Sequence, residues 1–307
     1  MSLAWDEPGW LDRAIGWIDG HVERTGEVEL ERTRPWSAVA RVPTAQGVVW
    51  FKEDPPAHAF EPALTALLAR RRPDALPEVV AAEGTRLLTR DAGPRLRDVL
   101  DAGETEPRWE TILAEWAELQ IDFAALVDEA LAVGTPDERP ARLPALYEAV
   151  AGRDDLYEMV ARTAAALEDG IPATVAHQEA HDGNVFVRDG RPVLIDWAES
   201  SVTHPFLGPL LALRSATERG GYEPGSREVE RLRDAYLEPF TRFAPPAELR
   251  TSFAQAYFLA PIGRARVWQR TLVDVGRDVS AEFDEPVASW LEIQREIANG
   301  SILLGGA

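Results

Sequence analysis

The chain has 307 residues, 45% of them apolar, ten tryptophans and a formal net charge of −20. That size and apolar content supply a core for one large domain or two modest ones. The acidity argues against a nucleic-acid backbone as partner, since such binders carry basic stripes, and the lack of any cysteine excludes disulfides, thiolate metal sites and a cysteine nucleophile.

No run of 18 apolar residues is present, so no transmembrane helix is expected. The first residues, Met1 to Asp6, lack the basic and apolar regions of a signal peptide. The expected location is cytoplasmic, with no membrane partner.

Trp10, Ala14, Trp17 and Ile18 recur at helical spacing and predict a helix over 5–25. Strands are expected at 28–31, 37–42 and 48–52, with a turn at 44–47 between the last two. After Pro55 and Pro56 the pattern turns helical over 59–71, with Phe60, Leu64, Leu67 and Leu68 on one face. Residues 79–82 and 86–89 read as a strand pair turning at Glu83 and Gly84. Ala92, Gly93 and Pro94 then break the pattern. This divides an amino-terminal lobe (1–93) from a carboxyl-terminal lobe (94–307). The second lobe reads as helical over 96–168, interrupted at 134–140, and carries a mixed segment at 174–197. Beyond Pro205 it is helical again, with breaks at 220–225, 245–246 and 261.

Lys52 is the only lysine beside 31 arginines. It ends the apolar run Val48-Val49-Trp50-Phe51, a buried strand that delivers an ammonium. A compact ammonium and a planar guanidinium are not interchangeable where a phosphate is met in a tight space. A phosphate contact is one reading; a surface lysine that persisted by chance is the plain alternative.

The stretch His177-Gln178-Glu179-Ala180-His181-Asp182-Gly183-Asn184 holds two of the five histidines and one of the two asparagines. Residues 185–187 and 193–195 flank a glycine turn, so a hairpin is expected, with Asn184 before its first strand and Asp196 after its second. Two adjacent oxygen ligands suit Mg²⁺ when phosphates complete its shell. Protein kinases place a base two residues after a histidine and a metal-binding asparagine five residues further on. Those offsets land on Glu179 and Asn184, and Asp196 follows one hairpin later. Glu61, nine residues after Lys52, is positioned to pair with the ammonium.

In these words the chain resembles the aminoglycoside phosphotransferase and choline kinase-like family, which shares the protein-kinase fold. The resemblance rests on Val49-Trp50-Phe51-Lys52, on Leu87-Leu88-Thr89-Arg90-Asp91-Ala92-Gly93, on the 177–184 stretch, on Leu194-Ile195-Asp196-Trp197 and on His204-Pro205-Phe206. It implies an α+β bilobal fold: a small lobe with an antiparallel sheet and one main helix, and a large, mainly helical lobe. It also implies a small-molecule kinase that uses ATP, with GTP as the alternative nucleotide, and Mg²⁺. Lys52 would contact the α/β-phosphates and Glu61 would hold it. The backbone at Thr89 and Asp91 would receive adenine, Asn184 and Asp196 would bind the metal, and Glu179 would be the base. The partner is a small-molecule hydroxyl acceptor; its identity and the oligomeric state are left open.

Two departures from the family pattern stand out. Residues 31–37 contain no glycine, so Ser37, Arg34 or exposed amides would have to meet the phosphates. The usual catalytic aspartate is Glu179, whose carboxylate sits about one methylene further out, and an error near 1 Å can cost roughly 100-fold in rate. Glu179 serves as base, or Asp182 takes over, or the protein binds nucleotide without transfer. A metal-dependent hydrolase built on Glu179, His181 and Asp196 is a further rival.

Around this centre the plainer readings are structural. His177 is expected to lock its loop through backbone carbonyls, His181 and Asp182 to shape a turn, and Trp197 to pack. Glu199 is assigned to the surface. Tyr257, Phe258, Trp268 and Trp290 are expected in the core. Arg264, Arg266 and Arg270 would bind an anionic acceptor or form surface pairs, and Glu282, Asp284 and Glu285 are acidic residues within reach of an acceptor.

Overall fold

The computed structural model describes residues 3–104, 106–275 and 285–300. Helix α1 (Trp10–Asp19) is shorter than its periodicity suggests because Gly9, at φ 73°, closes it off on one side and Gly20 caps it on the other. Next come β1 (Glu29–Arg34), β2 (Ser37–Thr44) and β3 (Gly47–Glu53), then α2 (Glu61–Arg71), β4 (Val79–Glu83) and β5 (Arg86–Arg90). The five strands form one antiparallel sheet in the order β1-β2-β3-β5-β4.

Strand alternation decides which face does what. Ala38, Ala40, Val42, Val49, Phe51 and Leu88 are buried against Trp10, Ala14 and Ile18 of α1. Lys52, offset by one residue from Phe51, therefore projects from the opposite face.

The remainder is mainly helical: α3 (Leu96–Asp101), α4 (Trp109–Phe123), α5 (Val127–Ala132), α6 (Leu143–Ala151) and α7 (Tyr157–Ala165) precede four short strands. These are β6 (Thr174–Ala176), β7 (Val185–Arg188), β8 (Arg191–Leu194) and β9 (Ser201–Thr203). Strands β7 and β8 form the anticipated hairpin, and β6 pairs with β9. Strand β9 was not anticipated, because three residues carry no readable periodicity. Helices α8 (Leu210–Gly220), α9 (Arg227–Leu237), α10 (Pro246–Val275) and α11 (Pro286–Ala298) complete the fold. Among the described residues no helix is long and apolar enough to cross a membrane.

The large core joins Trp116, Trp197, Phe206, Tyr236 and Phe253 to Phe60, Leu64, Leu67 and Leu68. Helix α2, although it lies between two strands of the sheet, buries its apolar face in the helical body. That seating fixes Glu61 relative to the loops beyond residue 176.

The break expected at Pro261 does not occur: α10 runs through it. A proline inside a helix costs about 3 kcal/mol, and here Tyr257, Leu259, Ala260, Ile262 and Ala265 around it are all buried. Packing of that central stretch offsets the missing hydrogen bond.

After β5 the chain crosses to the helical body through Gly93, at φ 100°. A Cβ on Gly93 would overlap the carbonyl oxygen of Val187. The strap is pinned by Val187 N–H donating to Pro94 O at 2.9 Å.

Candidate active site

Three distant segments meet at Lys52. Its Nζ lies 2.5 Å from Glu61 Oε2, 2.7 Å from Asp196 Oδ1 and 3.3 Å from Asp54 Oδ1. Burial opposes the ammonium charge, but Asp196, Asp54 and Glu61 outweigh it and hold the lysine well above its ordinary pKa. Glu61 is fully buried at the start of α2, and its second oxygen accepts the Trp197 N–H at 2.9 Å. One carboxylate thus ties β3 to the turn after β8.

Asp196 occupies the left-handed region at φ 65°, which Asp tolerates better than most residues. Burial raises its pKa, yet the Lys52 charge and hydrogen bond prevail and bring it down to about 2. Asp54 has the opposite balance: its side chain is completely buried, and burial together with Glu61 drives its pKa well up despite Lys52.

The loop between β6 and β7 carries the proposed base. His177 Nε2 donates to Ile195 O at 2.9 Å while its Nδ1 accepts the Glu179 N–H at 3.1 Å. The ring is therefore the neutral tautomer. Burial lowers its pKa to about 4, so it locks the loop as expected. Asn184 Nδ2 donates to Glu179 O at 3.1 Å and to Glu179 Oε2 at 3.3 Å. The Glu179 side chain keeps 24% exposure. Burial and the charges of Glu199 and Asp196 push its pKa up to about 8, against the pull of Arg264 and Lys52.

Asp182 does not compete for the role of base. It is buried, accepts from Arg97 Nη2 at 2.7 Å and also from Arg219. Burial raises its pKa, but these two guanidinium groups lower it further. His181 Nδ1 accepts the Gly183 N–H at 2.9 Å, a turn contact.

The oxygen donors present fit a hard cation. Asn184 and Asp196 flank the β7–β8 hairpin, where Ile195 N–H donates to Asn184 O at 3.1 Å. The asparagine amide nitrogen is engaged by Glu179, leaving its amide oxygen, and Asp196 is ionised. Among the described residues no group of three His, Cys, Asp or Glu could hold a metal alone, so phosphate oxygens would have to complete the shell.

Thr89 lies on β5 between Trp50 and Val79. The Asp91 carboxylate accepts from Trp50 Nε1 at 2.8 Å and from Gly93 N–H at 2.9 Å, shaping the strap. The glycine-free segment is a tight turn at Pro35 and Trp36. Trp36 meets Trp268 of α10 edge-on, with ring centroids 5.7 Å apart. Ser37 is buried in β2, so it does not face a phosphate as proposed.

A cavity of about 890 Å³ opens beside Glu179, lined by Arg97, Arg214, Arg219, Arg264, Trp268 and Trp290 among others. Trp268 and Trp290 thus line this space, Trp290 while also packing against the large core, and Tyr257 and Phe258 are buried as expected. Glu199 is not a surface residue either. It pairs with Arg264, a guanidinium only 5% exposed that also lies 3.6 Å from Glu179 Oε1. Gly263 beside it has no room for a Cβ, which would overlap the Gln178 amide. Arg270 pairs with Glu138 and Arg266 with Gln269, and the lining of this cavity includes neither. Glu285 is exposed before α11, whereas Glu282 and Asp284 lie outside the described residues.

Sequence reasoning missed Asp54, Arg97, Arg214 and Arg219. Only Asp54 had a local signal, standing two residues from Lys52 on the same strand face. The arginines come from helices whose packing no local pattern reveals.

Residues 20–266 match the sequence profile of a phosphotransferase enzyme family. Among solved structures, the chain is similar to an ethanolamine kinase of Plasmodium vivax, at TM-score 0.62 and 13% identity over 90% of this chain and 84% of that one. It is similar to a macrolide 2′-phosphotransferase of Brachybacterium faecium at TM-score 0.57 and 17% identity, covering 94% and 98%. An amicoumacin kinase solved with AMP-PNP and Ca²⁺ gives 0.59 at 9% identity, covering 96% and 95%. At these identities the likeness is one of fold. No curated protein matches the sequence.

Proposed function

The chain belongs to the phosphotransferase enzyme family, and we propose that it transfers the γ-phosphate of ATP, with Mg²⁺, to a hydroxyl of a small molecule. The observation that carries this reading is Lys52, held at once by Glu61 and Asp196. An ammonium fixed in this way on β3 would meet the nucleotide phosphates, and the backbone at Thr89 and Asp91 would receive adenine. Asn184 and Asp196 would hold Mg²⁺, which supplies charge neutralisation at the transferring phosphoryl group. Glu179 takes the proton of the acceptor hydroxyl as its oxygen bonds to the γ-phosphorus and the bond to ADP breaks. A base with a pKa near the working pH is suited to that transfer.

The test is thermal stability of the wild type and Lys52→Ala with and without saturating Mg·ATP. Ligand at 100 times its Kd stabilises by about 2.7 kcal/mol. A Mg²⁺-dependent shift that weakens in the variant supports the nucleotide site; no shift with ATP or GTP removes it. A second reading, a nucleotide-binding protein without transfer, draws on Glu179 and on the glycine-free turn at Pro35 and Trp36. ATP stabilisation without turnover on a broad acceptor panel would favour it. Under the kinase reading, Glu179→Gln retains the ATP shift and loses turnover.

A further inference from the structure

The acceptor cavity is built for the wrong charge to take a polycation. Three acids line it. Asp182 is consumed by Arg97 and Arg219, Glu179 addresses the reacting hydroxyl, and Glu218 is 72% exposed at the rim. Among the described residues that line the cavity, no buried carboxylate is left over for an ammonium group. Four arginines line it too, in a protein whose formal net charge is −20; Arg97 and Arg219 hold Asp182 and Arg264 holds Glu199, which leaves Arg214.

Helix α8 presents Leu211, Arg214, Ser215, Glu218 and Arg219 to the cavity, positions that share one helical face. Arg214 is the least committed. Among the described residues its nearest carboxylate is Glu218, at 3.8 Å, beyond hydrogen-bond length. Its guanidinium instead lies over the Trp290 ring, 5.9 Å from the centroid, and Arg264 lies over the same ring at 5.4 Å. An ammonium-bearing acceptor would need that indole face and would meet two guanidinium groups already there. The same arrangement offers an anion a planar donor fork beside an apolar wall.

We propose that the acceptor carries an anionic group, a carboxylate or a phosphate monoester, bound by Arg214 with its apolar part against Trp268 and Trp290 while its hydroxyl faces Glu179. This rests on the phosphotransferase reading above, and it names the acceptor's charge class.

The test is direct calorimetric binding of matched pairs to the full chain: gluconate against gluconamide, 4-(hydroxymethyl)benzoate against its amide, and glucose 6-phosphate against glucose, with kanamycin as the polycation. Kinetics with Mg·ATP follow for whichever compounds bind. At least one anion should bind about 10-fold or more tighter than its neutral partner, the scale of a charge-assisted contact. Arg214→Gln and Arg214→Glu should each remove that difference while leaving the ATP-induced melting shift intact. Kanamycin binding more tightly than every anion overturns the proposal, as does an anion preference that survives Arg214→Glu. Failure of every anion to outbind its partner overturns it as well, whether or not ATP binds. Loss of the ATP shift in the wild type counts against the kinase reading and leaves the anion preference to be judged on binding alone.

Discussion

Lys52 Nζ and Asp196 Oδ1, 144 residues apart in sequence, lie 2.7 Å from each other. The lysine proposed to meet phosphates and the aspartate proposed to hold a cation are thus in direct contact. Glu61 and Asp54 bring two further carboxyl groups to the same ammonium.

Replacing Lys52 with alanine should therefore cost stability as well as nucleotide binding. Removing one partner of a buried ion pair typically costs about 3–5 kcal/mol. Urea unfolding at pH 7 measures it, and the loss should shrink at low pH as the carboxylates protonate. A cost below about 1 kcal/mol would show the carboxylates to be hydrated.

The Glu179 carboxyl, raised from 4.5 to about 8, gives a signed pH dependence. The native state keeps a proton that the unfolded chain has released between those values. Its contribution to stability is complete below pH 4.5 and is lost as pH rises through 8. Glu179→Gln should flatten that part of the stability profile. Turnover of the wild type should rise through an inflection near pH 8, as the base ionises. A flat rate between pH 6 and 9 would mean that Glu179 does not titrate in the step being measured.

Arg264 is a buried cation between Glu199 and Glu179. Arg264→Met should destabilise by about 3–5 kcal/mol, because Glu199 is left unpaired in a poorly hydrated site. Without that guanidinium the Glu179 carboxyl should titrate higher still, moving the rate profile to higher pH. Adding Glu199→Gln should recover part of the lost stability. Denaturation of the single and double variants, read as a cycle, decides whether the two residues act as a pair.

Gly93→Ala should destabilise by about 2–4 kcal/mol, from the left-handed backbone and the overlap with Val187 O together. Because the strap sets the sheet against the β7–β8 hairpin, the variant should also weaken the ATP-induced melting shift. An unchanged melting temperature would show that the strap relaxes freely.

Most of the fold was legible where a residue's neighbours in sequence are also its neighbours in space. The apolar run 48–51 marked β3, and the spacing of Phe60, Leu64, Leu67 and Leu68 marked the buried face of α2. The 185–194 hairpin, with its glycine turn, carried Asn184 and Asp196 to one end. Where local and tertiary demands differed, the local reading failed. Pro261 stays inside a helix because its surroundings are buried, and Glu199 is half-buried against the buried Arg264.

The sequence by itself determined the chemistry on offer: one lysine at a strand end, two oxygen donors flanking a hairpin, and a glutamate two residues after a histidine. Side-chain type and short-range spacing are enough for that. Only the tertiary structure decided how those groups are charged and what they face. Lys52 meets Asp54 and Asp196, Arg264 meets Glu179, and Arg214 meets Trp290 through packing of elements far apart in the chain. Burial and charge proximity are properties of that packing, so the pKa of Glu179 and the arginine-rich lining of the cavity appear only once the chain is folded.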